Sequence, residues 1–264
     1  MSILKALLYT VLLFVIGVIL SFGFQSVIAL LDLNLEYLIH YNSVTRILTK
    51  ILQYSVILFL AFKLWFAPSY LLLKIKKIKW ETVLLILIVS IGFEIFAKIF
   101  LELKVFLNDN KLAFESINHT DYKSEYFWRY DLIRAVILAP ILEELFFRKI
   151  LFTRMLKKYS FGISAIVSSI CFAFIHIPNW LNLVPTFLFG IISCWIYVKT
   201  KNILYPILLH FVGNLIVLLL SFHNQQITSF LQELNYSWVY WLILISGVGM
   251  TLFGLRKLKK APLD

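Results

Sequence analysis

The chain has 264 residues, of which 61% are hydrophobic and 15% are charged, and its net charge is +11. Soluble domains are about half apolar and about a quarter charged, so this composition excludes an ordinary soluble protein. The basic residues stand in short clusters between long apolar runs, which is typical of loops that face anionic lipid. We therefore expect residues 1–264 to form a single integral membrane domain, with membrane lipid and no nucleic acid as partners.

Apolar runs of membrane-spanning length recur along the whole chain and predict an all-α, polytopic bundle of about eight spans. The first run is longer than the apolar part of a signal peptide, so we interpret it as an uncleaved span. The fifth and sixth are separated only by the sequence IPNWLN. The predicted spans cover residues 4–31, 51–73, 82–107, 131–156, 161–180, 183–198, 203–222 and 237–255.

Lys and Arg residues between the predicted spans are dense in every second loop and sparse in the others. The dense set is Lys5, Lys74, Lys76, Lys77, Lys79, Arg154, Lys157, Lys158, Lys199, Lys201, Arg256, Lys257, Lys259 and Lys260. The sparse set is Arg46, Lys50, Lys111, Lys123 and Arg129. Because an excess of Lys and Arg marks cytoplasmic loops, we expect both termini to be cytoplasmic.

The third predicted span carries three charges at helical spacing. Glu94, Lys98 and Glu102 follow each other at i, i+4 and i+8, which predicts a ladder of ion pairs on one helix face. Such a ladder is either a structural seam against another helix or part of an ion path. Both interpretations remain open, because charges inside a span are costly and often functional.

The fourth predicted span contains the sequence APILEELFFRKIL, with two glutamates and an arginine in an apolar setting. Glu144 and Arg148 are four residues apart and can pair across one turn. Glu143 lies about 100° around the helix and has no such partner in its own helix, so we predict that it exchanges protons. Pro140 removes a backbone hydrogen bond and predicts a bend. A wholly structural charge cluster is the alternative.

Two further spans carry polar groups at helical spacing. Phe172 and His176 share a face of the fifth span, and His210 and Asn214 share a face of the seventh. A single membrane histidine is more often a hydrogen-bonded core residue than a catalyst. Together with a glutamate, however, these groups supply a base, a second proton-handling side chain and donors for an oxyanion. This combination is suited to hydrolysing an amide with activated water.

Other intramembrane hydrolases have motifs that are missing here. The zinc signature HExxH is absent, and no GxGD motif accompanies Asp131. The sequence around Gly162 and Ser164 only faintly resembles a rhomboid-type serine site. These absences leave the glutamate and histidine groups as the candidate chemistry.

The order EExxxR, FxxxH and HxxxN over successive apolar spans resembles the CPBP family, which comprises CAAX prenyl proteases and bacteriocin-processing intramembrane proteases and is also called the Abi family. The resemblance covers about residues 130–220, which would be the catalytic core, and all three motifs are intact. It implies a multi-pass protease of a bacterial cell membrane. The implied substrate is a membrane-embedded or lipid-anchored protein or peptide.

The resemblance also implies roles for individual residues. Glu143 and His176 would activate the attacking water, and His210 and Asn214 would stabilise the oxyanion. Glu144 and Arg148 would organise the site, supported by Phe172. This mechanism needs no cofactor, although Glu143, His176 and His210 could ligate zinc; we expect no tightly bound metal.

Two other functions are compatible with the sequence. Relatives of this fold take part in bacteriocin self-immunity and in the control of sensor kinases, some without proteolysis. An ion or proton transporter would use the buried carboxylates, but it predicts charges spread along a path, whereas these cluster at one depth.

The depths of the two histidines do not match in this scheme. Counting along straight helices places His176 about 24 Å from the cytoplasmic end of its span and His210 only about 10 Å. The two can meet only if the helices tilt, if the fifth span begins deeper, or if one helix is broken. Pro178 and Pro206 are positions where a break could occur.

Overall fold

A computed structural model of the protein describes residues 1–31, 35–65, 77–109, 127–177 and 182–260. Within these ranges the chain forms nine helices and no strand, which confirms the predicted all-α class. The helices are α1 (Ile3–Ala29), α2 (Leu35–Trp65), α3 (Trp80–Asp109), α4 (127–156), α5 (Phe161–Phe174), α6 (Leu183–Thr200), α7 (Leu204–Ser221), α8 (Asn224–Glu233) and α9 (Trp238–Lys260).

Helix α4 is one continuous rod in which α-helical and π-helical segments alternate. Its α-helical segments are Phe127–Asp131, Ala139–Glu144 and Thr153–Leu156, and its π-helical segments are Leu132–Leu138 and Leu145–Phe152. At the first junction the Ala139 N–H donates to the carbonyl of Arg134, five residues back, immediately before Pro140. The irregularity predicted at Pro140 therefore takes the form of a π segment, a feature that is frequent at functional sites.

Six of the described helices are long and apolar enough to cross a membrane, namely α1, α2, α3, α6, α7 and α9. Helix α5 is apolar but has only 14 residues. The chain is therefore a multi-pass membrane protein, whereas the predicted number of about eight spans and the side on which each terminus lies are not established by the structure.

Two predicted boundaries differ clearly from the structure, and one helix was not predicted. The fifth span was expected over 161–180, but α5 ends at Phe174. The second was expected over 51–73, but α2 begins at Leu35, so Arg46 and Lys50 belong to a helix and not to a loop. The polar helix α8 was missed, because a search for apolar runs does not detect a segment as polar as NQQITSFLQE.

The helices pack into a bundle in which α4 is surrounded by α2, α5, α6 and α7. Helix α9 lies along α3, and their backbones approach closely where Gly92 meets Gly247. A Cβ on Gly92 would lie 2.8 Å from the Gly247 carbonyl oxygen, so small residues permit this contact, as in many membrane helix pairs. Cys171 and Cys194 are buried and free.

The first step of the predicted ladder on α3, a pair between Glu94 and Lys98, is not formed. The Lys98 ammonium donates to Oδ1 of Asn224 at 3.1 Å and to Oγ1 of Thr228 at 3.4 Å, both on α8. Glu94 makes no hydrogen bond or ion pair within the described residues. The side chain of Glu102 lies outside the described residues, so the step between Lys98 and Glu102 stays a prediction.

Candidate active site

Glu144 on α4 is fully buried and is the centre of a network of polar contacts. Its Oε2 lies 3.1 Å from Nε of Arg148, which confirms the predicted pair at i, i+4. The Ser193 hydroxyl of α6 donates to the same oxygen at 2.6 Å. The other oxygen, Oε1, lies 3.0 Å from Nδ1 of His210 on α7. Three helices thus converge on this one carboxylate.

The guanidinium of Arg148 is completely buried beneath an aromatic ring. Its central carbon lies 4.3 Å from the centre of the Phe172 ring on α5. A cation over an aromatic face is attractive, and more so when water is excluded. Phe172 therefore covers the Glu144–Arg148 pair, in keeping with the supporting position predicted for it.

Glu143 has a charged partner that the sequence did not reveal. The carboxylate is 1% exposed, and Lys50 of α2 donates a hydrogen bond to its Oε1. The expectation that Glu143 is unpaired was therefore wrong, because it considered partners within one helix only. The second oxygen, Oε2, is buried, has no hydrogen-bond partner within the described residues and lies 3.9 Å from Nε2 of His210.

His210 lies between the two glutamates. Nδ1 contacts Glu144 and Nε2 faces Glu143. An ionised carboxylate can only accept a hydrogen bond, so Nδ1 of His210 carries a proton and donates a hydrogen bond to Glu144. His210 can then donate from Nε2 only as an imidazolium, with protons on both ring nitrogens.

His176 lies in the turn that follows α5. Its Nδ1 lies 2.9 Å from the Phe172 carbonyl oxygen, which can only accept, so this nitrogen carries the proton of a neutral ring. Nε2 of the neutral ring is then free to accept a proton. The Phe172 ring centre lies 4.9 Å from that of His176 and 5.7 Å from that of His210.

The chain leaves the α5 helix just before His176. The helix ends at Phe174, and His176 and Ile177 continue as a turn, with N–H groups donating three residues back to Ala173 and Phe174. His176 therefore does not extend the helix by another turn. Pro178, the predicted break, lies outside the described residues.

Asn214 makes a contact that the motif did not predict. Its Nδ2 donates to the backbone carbonyl of Ala135 on α4 at 2.7 Å. Ala135 lies in the π segment Leu132–Leu138, so this bond satisfies a carbonyl of irregular helix. The amide NH₂ has a second N–H, and its predicted role as an oxyanion donor rests on that one.

Two residues of this cluster were missed by the sequence reasoning. Lys50 was interpreted as a loop residue, and Ser193 was not singled out within its apolar run. Their partners lie 93 and 49 positions away in sequence, respectively. No spacing pattern connects such distant residues, although a lysine within reach of an apolar span was a usable signal.

The predicted zinc ligands do not fit a metal site as they are placed. Within the part of the chain that the structure describes, no group of three or more His, Cys, Asp or Glu side chains is arranged to hold a metal ion. The ammonium of Lys50 also occupies one oxygen of Glu143, and a cation there opposes a second cation.

The fold and this cluster define a class of protein: a multi-pass helical membrane protein with a buried site of two glutamates, two histidines and an arginine. Residues 125–216, which carry all three motifs, match the family model described as type II CAAX prenyl endopeptidase Rce1-like. The resemblance to CAAX proteases inferred from the motifs is thus confirmed for this segment.

Two bacterial proteins are similar over a comparable part of the chain. The candidate membrane peptidase YdiL of Bacillus subtilis (strain 168) is 32% identical over 90 residues, which are 34% of this chain and 36% of that protein. The membrane-embedded CAAX protease MroQ of Staphylococcus aureus (strain USA300) is 32% identical over 97 residues, which are 34% of this chain and 38% of that protein. The matched region is therefore little more than a third of each relative. No solved structure gave a significant match.

Proposed function

We propose that the chain is an intramembrane endopeptidase that hydrolyses a peptide bond with water activated by Glu143. The observation that carries the proposal is the buried Oε2 of Glu143, which has no hydrogen-bond partner within the described residues and faces His210. A carboxylate oxygen of this kind, beside histidines in a site that excludes bulk water, is suited to accept a proton from a reacting water.

In the proposed reaction Glu143 takes a proton from water, and the resulting hydroxide attacks the carbonyl carbon of the scissile bond. His176, whose Nε2 can accept a proton, assists this step. The tetrahedral intermediate carries its negative charge on the former carbonyl oxygen, where His210 Nε2–H and the second N–H of Asn214 donate. Glu143 then passes the proton that it took from water to the amide nitrogen, the C–N bond breaks, and an amine and a carboxylate are released.

Glu144, Arg148 and Ser193 support this chemistry without contacting the substrate. Glu144 holds the proton on Nδ1 of His210, so that Nε2 points towards Glu143. Arg148 balances the charge of Glu144, and Ser193 fixes its second oxygen. The arrangement resembles the way in which a buried carboxylate orients a catalytic histidine in other hydrolases.

The proposed substrates are peptides or proteins associated with the membrane, embedded or held there by a lipid anchor. The site lies on helices of a membrane bundle, so a substrate that already lies in the bilayer reaches it by lateral movement. The family model and MroQ carry CAAX protease in their descriptions, which is consistent with a lipid-anchored C-terminal segment as one form of substrate.

The test is hydrolysis by the purified, full-length protein in lipid vesicles. Peptides of one sequence would be offered with a farnesyl anchor, with a palmitoyl anchor and without an anchor, in water enriched in ¹⁸O. Mass spectrometry should find two product fragments, with one ¹⁸O in the new carboxylate, and faster cleavage of anchored peptides. Failure to cleave any peptide, or equal cleavage by the Glu143→Gln variant, would overturn the proposal.

A matched control exists on α3. Glu94 is another glutamate of a membrane helix, without a hydrogen bond or ion pair within the described residues, and it is absent from the proposed mechanism. Glu94→Gln should retain cleavage within about threefold, because it leaves the groups that bind the transition state in place. Loss of activity in both glutamine variants would point to damage of the fold.

A further inference from the structure

Helix α2 contributes a cation to the buried site from outside the segment that matches the family model. Lys50 lies in α2, whereas the match covers residues 125–216. Its ammonium donates to Oε1 of Glu143. The Lys50 side chain is 20% exposed and that of Glu143 is 2% exposed, so this ion pair lies at the edge of the buried cluster.

An aromatic ring on the same helix fixes the position of the ammonium. Tyr54 follows Lys50 by one turn, and Nζ of Lys50 lies 5.3 Å from its ring centre. The Tyr54 ring is buried and packs edge-on against Phe146 of α4, with ring centres 6.3 Å apart. An ammonium between an aromatic face and a carboxylate has two attractive contacts. The position of Lys50 is therefore set by both α2 and α4.

The charges of the two glutamates are balanced by different residues. Arg148 and Ser193 contact Glu144, and neither is recorded in contact with Glu143. Glu143 forms a hydrogen-bonded ion pair with Lys50, whereas Nε2 of His210 lies 3.9 Å from its other oxygen and is a cation only when the ring carries two protons. A buried carboxylate without a compensating cation is strongly unfavourable. The ionised form that general base catalysis requires therefore depends on a residue of α2.

We propose that Lys50 is the positioning residue for Glu143. It balances the charge of the carboxylate and occupies Oε1, so that Oε2 alone is presented to the reacting water. This inference rests on the proposed function, since it assigns Lys50 a part in the same reaction. Glu143 should also be ionised in the protein without substrate, and its charge state can be tested in that form.

Dicyclohexylcarbodiimide provides that test, because it adds to carboxyl groups in their protonated form and leaves a stable N-acylurea that is located by mass spectrometry. Glu143 should react only slightly in the wild type and in Lys50→Arg. In Lys50→Met the labelled fraction of Glu143 should be at least about five times that in the wild type, because the compensating charge is gone. Glu94, which has no ionic partner within the described residues, serves as an internal reference in every sample.

Kinetics then test the positioning role. Lys50→Met should lower kcat about 10- to 100-fold with KM within about twofold, because the reacting group is changed and substrate contacts are not. Lys50→Arg should recover most of the rate. Lys98→Met makes the same chemical change at a lysine that contacts Asn224 and Thr228 on α8, and it should leave both kcat and the labelling of Glu143 unchanged.

The outcomes separate the possible failures. Equal labelling of Glu143 in the wild type and in Lys50→Met would overturn the inference, and so would an unchanged kcat in Lys50→Met. If Lys50→Met does not fold, the double variant Lys50→Met/Glu143→Gln should recover the thermal midpoint, because it leaves no unpaired charge; failure to recover would also count against the pairing. If the wild type cleaves no peptide, the proposed function falls, and the labelling alone decides the pairing.

Discussion

Glu143 and Glu144 are neighbours in the chain, but each has its own set of partners. Glu144 contacts Arg148, Ser193 and His210 and has both oxygens engaged. Glu143 receives one hydrogen bond from Lys50 and keeps Oε2 without a partner within the described residues. In the proposed mechanism Glu143 is therefore the reacting group and Glu144 the orienting group.

Removing the hydroxyl that supports Glu144 tests this division. Ser193→Ala should destabilise the protein by about 1–3 kcal/mol, because a buried hydrogen bond to a charged group is lost. It should lower kcat/KM by up to about tenfold, since the orientation of His210 depends on Glu144. Thermal unfolding in detergent and cleavage kinetics measure the two effects.

The control is a serine that bonds only within its own helix. Ser246 of α9 is exposed and donates to the Ile243 carbonyl. Ser246→Ala should change stability by less than about 0.5 kcal/mol and leave the kinetics as in the wild type. A Ser193→Ala variant as stable and active as Ser246→Ala would show that the contact with Glu144 contributes nothing.

Much of the site at this scale could be predicted from the sequence. The spacing of Glu144 and Arg148 predicted their pair, because residues four apart in a helix are neighbours in space. Lys50 and Ser193 could not be found in this way, since their contacts depend on how separate helices pack. A pattern within one helix contains no information about that packing.

At the scale of the elements, α7 passes close to α3 at a glycine beside the HxxxN motif. A Cβ on Gly213 would lie 2.8 Å from Oε1 of Glu94, closer than real contacts allow. Gly213 directly precedes Asn214, which binds the π segment of α4 through Ala135. The glycine therefore sets how near α7 comes to the site.

Gly213→Ala should destabilise the protein by up to about 1 kcal/mol, because its Cβ meets the end of the flexible Glu94 side chain, which has to shift. A clash with the carboxylate is the cause, so Glu94→Ala should relieve it, with a coupling of at least about 0.5 kcal/mol in a double-mutant cycle. The coupling free energy is obtained by measuring the unfolding, in detergent, of the wild type, the two single variants and the double variant.

Gly249→Ala on α9 is the matched control, since a Cβ there meets nothing within 4 Å. Alanine is favoured over glycine in a helix by about 0.5–1 kcal/mol, so this variant should be neutral or more stable. If Gly213→Ala behaved in the same way, the close approach of α3 and α7 would be contradicted.

The end of α5 could not be predicted from hydropathy. Residues 161–180 are mostly apolar, so hydropathy alone extends the fifth span to 180, whereas α5 stops at Phe174. At this point the His176 ring bonds the Phe172 carbonyl, and a side-chain bond of this kind competes with helix continuation. The end of the helix is thus determined by the same residue that belongs to the site.

At the scale of the whole molecule, the predicted orientation in the membrane can be tested with thiol labelling. Cys171 and Cys194 are buried, so they should react little with a maleimide, and labelling reports on the newly introduced exposed cysteines. Lys5→Cys and Lys259→Cys should react with an impermeant maleimide only in broken cells, because the dense loops of Lys and Arg predict cytoplasmic termini. Gln226→Cys on α8 should react in intact cells. Labelling of either terminus in intact cells would contradict the orientation.

The expected independence from metal is a second prediction about the whole protein. Zinc requires three or more ligands in fixed geometry, and the described side chains provide no such group. Cleavage should therefore persist after dialysis against EDTA and 1,10-phenanthroline, within about twofold of the untreated rate. Loss of activity that added zinc restores would contradict this prediction.

The overall class followed directly from composition, because apolar runs of this length have few alternatives to membrane helices. The number of spans did not follow from composition, since α4 is divided into α and π segments and α5 is short. The part played by α2 was also hidden, because Lys50 lies in a stretch whose hydropathy is lower than that of the flanking spans. Contacts between distant helices are the information that the sequence pattern lacks.

The most direct test of the account is the kcat/KM of Glu143→Gln relative to the wild type, measured in vesicles on one anchored peptide that the wild type cleaves. Glutamine keeps the shape of the side chain but cannot accept a proton from water. We predict that kcat/KM of Glu143→Gln falls by about 100-fold or more, whereas that of Glu94→Gln is unchanged. The thermal midpoint of Glu143→Gln should show that this variant is folded. A Glu143→Gln variant that cleaves within tenfold of the wild-type rate would contradict the mechanism, because loss of a general base costs about 100-fold or more.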